Sequence, residues 1–249
     1  MHPVQKLEKY DKRGGYSYAL GVYPSLSLLE NRADCARRLL LHPDSLDGDG
    51  VQLLRETCCA LNIREEYSEK VLRRESKKDN CYAALVFNKY ESQLADDMPH
   101  VVLHQTMDGG NLGSIIRTCL GFGIGDIALI RPHVDEFDPH VIRATMGAFF
   151  KMRVRSYDTF DVYRREYPNH ALYPFMLTGA APLPEITRAS ERYALVFGNE
   201  ASGLPDAFAG MGRSVYIPQS AAIDSLNLSA AVAVGLYAFT RLNASGESI

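Results

Sequence analysis

The stretch VFGNEASGLP, from Val196 to Pro205, stops an apolar run abruptly in glycine, amide and acid. The run that leads into it, YALVF, has the aromatic and β-branched residues of a buried strand. Gly198 can adopt backbone angles that other residues avoid, which lets a ligand lie against the main chain. Asn199 and Glu200 would then project from the rim of the loop. The pattern predicts a ligand-binding loop at the end of a strand, with a solvated polar turn as the alternative interpretation.

Similar apolar runs alternate with helical patterns through the second half of the chain. The predicted strands are VVLH (101–104), DIALI (126–130), MRVRSY (152–157), YPFMLTG (173–179), YALVFG (193–198) and SVYIP (214–218). The predicted helices cover 111–121, 138–149, 158–167, 204–210 and 225–242. Several of the strands are apolar throughout, as expected for a parallel sheet that is covered on both faces. The second half is therefore predicted to be an α/β domain.

The first half predicts a smaller α/β layer domain, because short apolar runs and helical patterns also alternate over residues 18–88. The segment KYESQLADDMPH that follows is polar, has no periodicity and ends near a proline. We place a linker at about residues 89–99. The predicted domains are residues 1–95 and 96–249.

Composition favours an ordinary soluble protein, since 46% of the 249 residues are hydrophobic and 23% are charged. No stretch approaches the roughly 20 apolar residues of a membrane helix, and the start MHPVQKLEKYDKR lacks a signal segment, so a cytoplasmic location is expected. The five cysteines contain no C-x-x-C pair, which fits reduced thiols. His100 and His104 lie in a predicted strand, where a structural role is expected, and no metal site is predicted.

The net charge of −3 gives no general basic footprint for nucleic acid. Residues 1–95 carry 15 Lys and Arg against 14 Asp and Glu, and the remainder carries 12 against 16. Any RNA-binding surface must therefore be local. The candidates are KLEKYDKR (6–13) and VLRRESKK (71–78), and a solvated face of mixed sign is an equal alternative for each.

Two further loops carry unusual residues where ligands of parallel sheets bind, beyond the carboxyl ends of the strands. In DGGNLGSIIRT, from Asp108 to Thr118, Asn111 stands where a helix cap is expected. Arg117 lies on a helix face other than the apolar one. A capped surface helix with a solvated arginine is the alternative interpretation.

The other loop, IPQSAAIDSLNLS (217–229), leads into the last predicted helix. Its Ser225 and Asn227 are natural capping residues. The helix is apolar nearly all the way round, so it should be buried inside the domain or against another subunit. Small residues, Gly235 among them, would let a partner backbone approach closely.

Together and in this order, the three loops resemble the motifs of the SPOUT-class RNA 2′-O-methyltransferases, specifically the SpoU/TrmH family. The resemblance covers about residues 100–242. By order of elements, residues 15–90 resemble the L30e-like RNA-binding domain that often precedes the catalytic domain. The segment KKDNCYAALV departs from relatives, which often carry histidine, glutamine and glycine before that strand.

The resemblance implies a parallel α/β domain with a deep trefoil knot, S-adenosyl-L-methionine as cofactor, an RNA substrate and a homodimer. The cofactor-binding residues that it implies are Gly198, Asn199, Leu204, Ile217, Pro218 and Leu226. The catalytic residues that it implies are Asn111, Arg117, Glu200, Ser225 and Asn227.

Methyl transfer to a ribose 2′-hydroxyl needs an aligned donor and a way to remove a proton, but no metal. The family's usual proposal makes Arg117 the general base. We favour a role in which Arg117 grips the neighbouring phosphate and stabilises the developing oxyanion, because a guanidinium has a pKa above about 12. The alternative function is a noncatalytic RNA-binding or ribosome-assembly factor that retains the fold.

Overall fold

The computed structural model describes residues 7–45, 48–77, 81–177, 179–186 and 190–244. Its strands are β1 (Tyr16–Leu20), β2 (Ala36–Leu41), β3 (Arg64–Tyr67), β4 (Ala83–Asn88), β5 (His100–His104), β6 (Asp126–Ile130), β7 (Arg153–Tyr157), β8 (Ala171–Pro174), β9 (Ala181–Pro182), β10 (Tyr193–Phe197) and β11 (Val215–Tyr216). Its α-helices are α1 (Val22–Arg32), α2 (Asp49–Ala60), α3 (Glu69–Ser76), α4 (Gly109–Gly121), α5 (Pro139–Ala144), α6 (Phe160–Glu166) and α7 (Leu228–Ala244).

The chain divides into two compact units. The first consists of Met1–Tyr90 and Asp135–Lys151, and the second of Glu91–Val134 and Met152–Ile249. Residues 89–99 contain neither helix nor strand. None of the helices in the described ranges is both long and apolar enough to span a bilayer.

The first unit is built on a four-stranded sheet in the order β1-β4-β2-β3. Strands β1 and β2 run antiparallel to β4, and β3 runs parallel to β2. Within the basic segment 71–78, Arg74 Nε lies 2.6 Å from Glu75 Oε1, and the Glu75 side chain is only 3% exposed. Arg74 therefore serves the fold of this unit. Lys6 and Lys78 lie outside the described residues.

The helix that we predicted over 138–149 is too long. It ends at Ala144, because Met146 and Gly147 have φ angles of +52° and +87°. A Cβ atom at Gly147 would lie 2.8 Å from the Cβ of Ser27, and the Ser27 hydroxyl donates to the Gly147 carbonyl at 2.7 Å. A 3-10 turn, Ala148–Lys151, follows. The helix therefore ends early, because the chain packs closely against α1 at Gly147.

The second unit holds a five-stranded parallel sheet in the order β7-β6-β5-β10-β8. The predicted α/β class with a parallel sheet is confirmed. The strand predicted over 173–179 is wrong in its bounds, since Met176 leaves the sheet and donates its N–H to Val215 at 2.9 Å. The predicted strand 214–218 is only Val215–Tyr216, paired with β9 outside the main sheet. The predicted helix 204–210 is a 3-10 turn, Asp206–Gly210.

One face of the last helix, α7, packs against the rest of the second unit. Its residues Val232, Leu236 and Phe239 are fully buried. A Cβ atom at Gly235 would lie 2.8 Å from a ring carbon of Phe175. The absence of a side chain at Gly235 therefore serves packing within the chain, where we expected it to serve a partner.

A buried polar cluster closes the amino-terminal edge of the parallel sheet. His100 is fully buried, with Nε2 2.7 Å from the Ala95 carbonyl and Nδ1 3.0 Å from the Tyr163 hydroxyl. Its ring stacks on His170 at 4.1 Å between centroids. A neutral imidazole satisfies both contacts, donating to the carbonyl and accepting from the hydroxyl. Burial lowers the pKa of His100 to about 4.

This pKa predicts a loss of stability in mild acid. The unfolded chain takes up a proton at a pKa near 6.5, whereas the folded chain resists it down to about 4, so stability falls as pH drops through that window. We expect His100 to lower the free energy of unfolding by about 2 kcal/mol between pH 7 and pH 5. Urea unfolding at both pH values measures it.

His100→Gln should reduce this pH dependence, and His140→Gln, at an exposed position, should not. An equal pH dependence in the wild-type protein and in His100→Gln would contradict the assignment.

Candidate functional site

The three loops singled out in the sequence meet at the carboxyl edge of the parallel sheet. Asn227 Nδ2 donates to Asn111 Oδ1 at 3.1 Å, and Asn111 Nδ2 donates to Glu200 Oε1 at 3.3 Å. Residues from the start of α4, the end of β10 and the start of α7 thus form one hydrogen-bonded chain. The arrangement fixes the three loops relative to one another.

Asp108, rather than Asn111, caps helix α4. Its Oδ1 accepts from the Asn111 N–H at 2.7 Å, and the helix begins at Gly109. Our expectation for Asn111 was therefore wrong, because Asn111 is the third residue of the helix. Its side chain is left free to bridge Glu200 and Asn227.

Asn227 does act as a cap, as its residue type predicts. Its Oδ1 accepts from the Ser229 N–H at 2.9 Å and the Ala230 N–H at 3.4 Å, at the start of α7. The Asn227 side chain therefore both caps the last helix and takes part in the hydrogen bonds that link the three loops.

Glu200 braces the loop that precedes α4. Its carboxylate accepts from the backbone N–H groups of Met107 and Asp108, each at 3.3 Å, in addition to Asn111. These donors fix both carboxylate oxygens. Glu200 is consequently well placed to orient the loop and poorly placed to act as a mobile base.

Asn199 ties the end of β10 to the end of β5. Its Nδ2 donates to the Gln105 carbonyl at 2.8 Å, and its Oδ1 accepts from the Ala201 N–H at 2.9 Å. Gln105 itself has a φ of +61°, which an L-residue adopts only when its surroundings hold it there. The loop is thus fixed by side-chain bonds to the main chain.

Gly198 is required by the loop's own backbone. A Cβ atom there would lie 2.1 Å from the carbonyl carbon of Gly203 and 2.3 Å from the Leu204 nitrogen. The loop returns on itself because Asn199 and Gly203 exchange two backbone hydrogen bonds, at 2.9 and 3.1 Å. Gly203, not Gly198, has the positive φ, at +68°. Gly198 is therefore needed because a side chain would clash with the loop, and not because of the unusual backbone angle that we expected.

Two adjoining cavities open at this edge. The inner one has a volume of about 450 Å³, and the rings of Phe175 and Phe197 stack in its wall at 4.3 Å. Carboxylates of Glu200, Asp206 and Asp224 also line it. The outer one, of about 560 Å³, is lined by Met107, Asp108, Asn111, Asn199, Glu200, Ala201 and Asn227. We call them the inner cavity and the mouth.

Most of the site residues predicted from the sequence line one of these cavities. They are Asn111, Gly198, Asn199, Glu200, Leu204, Ile217, Ser225, Leu226 and Asn227. Pro218 and Arg117 line neither. Arg117 is exposed, and its guanidinium makes no hydrogen bond or ion pair with the described parts of the chain. It lies six residues beyond Asn111 in α4, a rise of about 9 Å.

Several lining residues were missed by the sequence analysis. Asp108 carried a signal, because an acidic residue three positions before Asn111 is a good helix cap. Phe175 falls inside the strand predicted over 173–179, although a proline such as Pro174 is confined to edge strands, first positions or bulges. Asp206 and Asp224 carried no signal.

Near the site, His104 ends β5 without lining either cavity. Its ring packs edge-on against Phe208 at 5.2 Å, and burial lowers the pKa of its imidazole. Across the described ranges, no group of three or more His, Cys, Asp or Glu residues is arranged to hold a metal ion.

The part of the chain that contains this site is similar to a known protein family. The profile that describes the SpoU rRNA Methylase family matches residues 98–237. The chain is 29% identical over 164 residues to the 23S rRNA (guanosine(2553)-2′-O)-methyltransferase RlmP of Bacillus subtilis, covering 62% of each chain. It is 32% identical over 140 residues to the 23S rRNA (adenosine(1067)-2′-O)-methyltransferase of Streptomyces laurentii, covering 55% of this chain and 52% of that one. The matches thus span less than two thirds of these relatives.

A solved structure is similar over nearly the whole chain. It is an AdoMet-bound rRNA methyltransferase from Sinorhizobium meliloti, with a TM-score of 0.79 and 26% identity. The match covers 92% of this chain and 88% of that one.

Proposed function

Because the chain belongs to the SpoU rRNA methylase family, we propose that it transfers a methyl group from S-adenosyl-L-methionine to a ribose 2′-hydroxyl of ribosomal or transfer RNA. The observation that carries this proposal is the hydrogen-bonded chain of Asn227, Asn111 and Glu200 at the mouth of a concave cavity. The names of the two rRNA 2′-O-methyltransferase relatives support the choice of reaction.

The residues of the inner cavity fit the proposed cofactor. Its volume of about 450 Å³ is that of a small-molecule site, and its stacked aromatic wall suits an adenine ring. The carboxylates of Asp206, Asp224 and Glu200 suit a ligand with ammonium and sulfonium charges. We propose that Gly198, Asn199, Leu204, Ile217, Pro218 and Leu226 contribute to this site. When bound, the cofactor supplies an electrophilic methyl group.

The remaining residues position the acceptor ribose. Asn111, Glu200 and Asn227 hold the mouth in one geometry, and Ser225 lines the inner cavity. Arg117 supplies the positive charge, gripping the neighbouring phosphate and stabilising the oxyanion as the 2′-proton leaves. Permanent protonation makes a guanidinium a good electrostatic group and a poor base.

Arg117 lines neither cavity of its own chain. It would contribute to a site only in a homodimer. In our proposal, the guanidinium of one subunit reaches the mouth of its partner. The exposed face of α7 suits such an interface: Val234 is 40% exposed and Tyr237 is 52% exposed. Phe122, at the end of α4, lies edge-on to Tyr237 at 6.4 Å. An apolar face of this kind on two neighbouring helices fits a second copy of the chain.

We expect Val234→Lys to convert the dimer to a monomer and to abolish methyl transfer, because a charge would be buried in the interface. Val162 is a matched control, since it is 37% exposed on α6. Val162→Lys should leave the dimer intact. Sedimentation equilibrium measures the oligomeric state of both variants. A wild-type protein that is monomeric at micromolar concentration would contradict the interface.

The first unit is proposed to bind RNA, in keeping with the L30e-like domain predicted from element order. Arg73 and Lys77 of the second basic segment are exposed. Arg73 makes an exposed ion pair with Glu69 at 3.7 Å, and Arg74 pairs with the buried Glu75. The trefoil knot also stays a prediction. An RNA substrate of this kind implies a cytoplasmic location.

The function is tested by incubating the protein with S-adenosylmethionine carrying a labelled methyl group and total RNA from cells that lack the gene. Nuclease digestion should release a labelled 2′-O-methylnucleoside. Calorimetry tests cofactor binding separately. Cofactor binding without transfer to any RNA would favour the noncatalytic alternative.

A further inference from the structure

The parallel sheet arranges the two cavities in a row along its carboxyl edge. The inner cavity lies where β8 and β10 end, lined by Phe175 and Phe197. The mouth lies between the ends of β10 and β5, where Glu200 and Met107 face it. Strands β6 and β7 continue the edge beyond Met107. The ends of β6 and β7 therefore lie on the side of the mouth that is away from the inner cavity.

The mouth itself repels phosphate, because Asp108 and Glu200 line it. Apart from the phosphate that we assign to Arg117 of the partner subunit, a polynucleotide that presents its ribose there must therefore place its phosphates outside the mouth, near a cation. Among the described residues in the four positions after each strand of this sheet, Arg131 is the only arginine or lysine. It follows β6 directly, next to Gln105, whose N–H donates to the Ile130 carbonyl at 3.1 Å.

The Arg131 guanidinium is available to a phosphate. It is 61% exposed and makes an ion pair at 3.2 Å with Asp158, which is 80% exposed. An ion pair so open to water is weak and exchanges readily. A phosphate offers the same guanidinium two oxygens in a matching geometry. Met107, which is 55% exposed and lines the mouth, offers an apolar surface for the ribose or base.

We propose that the substrate RNA strand crosses the ends of β5, β6 and β7, with a backbone phosphate bound by Arg131 next to the nucleotide whose ribose enters the mouth. This inference rests on the proposed function. Arg131 acts in it as a positioning residue, which sets RNA affinity and leaves the methyl-transfer step unchanged.

The test uses the full-length protein, with total RNA from cells that lack the gene as the probe. We expect Arg131→Ala to raise the KM for RNA about tenfold with kcat within about twofold. The slope of log affinity against log salt should fall by about 0.7 to 1, as for the loss of one phosphate contact. Arg131→Lys should recover part of the affinity, because it restores the charge but not the two-oxygen geometry of the guanidinium.

Two controls separate RNA contact from a structural role. Arg192 is also an arginine in an exposed ion pair, 3.4 Å from Asp96, at the opposite edge of the sheet. Arg192→Ala should leave the KM and the salt slope unchanged. Asp158→Asn breaks the Arg131 ion pair but keeps the guanidinium, so the KM should not rise.

Equal RNA affinities for Arg131→Ala and Arg192→Ala would overturn the proposal, as would a KM that rises as much in Asp158→Asn as in Arg131→Ala. Filter binding reports these affinities even if the wild-type protein transfers no methyl group. A failure of the proposed function is therefore distinguishable from a failure of this inference.

Discussion

Gly198→Ala is expected to destabilise the second unit by at least about 3 kcal/mol, or to prevent its folding. The added Cβ atom would lie within 2.4 Å of three backbone atoms of Gly203 and Leu204. Neither side can yield, because β10 lies between β5 and β8 in the sheet and the loop is closed by two backbone hydrogen bonds. Thermal and urea unfolding measure the effect.

Gly210→Ala provides the matched control, since a Cβ atom at Gly210 would meet nothing within 4 Å. Its stability should change by no more than about 0.5 kcal/mol. A Gly198→Ala protein with native stability and full cofactor affinity would show that the loop can open, and our account of the glycine would then be wrong.

Arg117→Ala is expected to reduce methyl transfer about 10²–10³-fold while leaving cofactor affinity and folding stability unchanged. The exposed guanidinium contributes no hydrogen bond or ion pair to the described parts of the fold, so its removal leaves the inner cavity intact. Single-turnover transfer measures the rate, and calorimetry with S-adenosylmethionine measures the affinity.

Arg165→Ala, at another exposed arginine of the same unit, should transfer methyl groups at the wild-type rate. The dimer proposal adds a sharper test. A mixture of Arg117→Ala with Asn111→Ala subunits should regain activity, because some mixed dimers combine an intact mouth with an intact arginine of the partner. No gain on mixing would contradict the contribution of Arg117 across the interface.

The parallel sheet was predictable from the sequence because its central strands are apolar throughout. Strand β6 was predicted with its observed bounds, and β10 to within one residue. Elements whose ends depend on tertiary contacts were not. The polypeptide leaves the sheet after Phe175, where Met176 bonds to Val215, and α5 stops where Gly147 meets Ser27. No local pattern reports a contact of that kind.

The site was predictable as a set of residues and less so as a geometry. Asn227 caps a helix, as its residue type predicts. Asn111 does not, because Asp108 caps α4 and the Asn111 side chain bridges two loops instead. Either side chain can cap a helix, so only the fold decides which one does. Arg117 differs again, because its proposed partner groups belong to a second copy of the chain, and one subunit alone does not bring them together.

The hydrogen bond between Asn111 and Asn227 joins side chains 116 positions apart. During translation, the growing polypeptide can assemble β5, α4 and β10 well before Asn227 leaves the ribosome. Until then the mouth lacks one wall. The mouth is thus completed only after the residues that begin α7 have been synthesised.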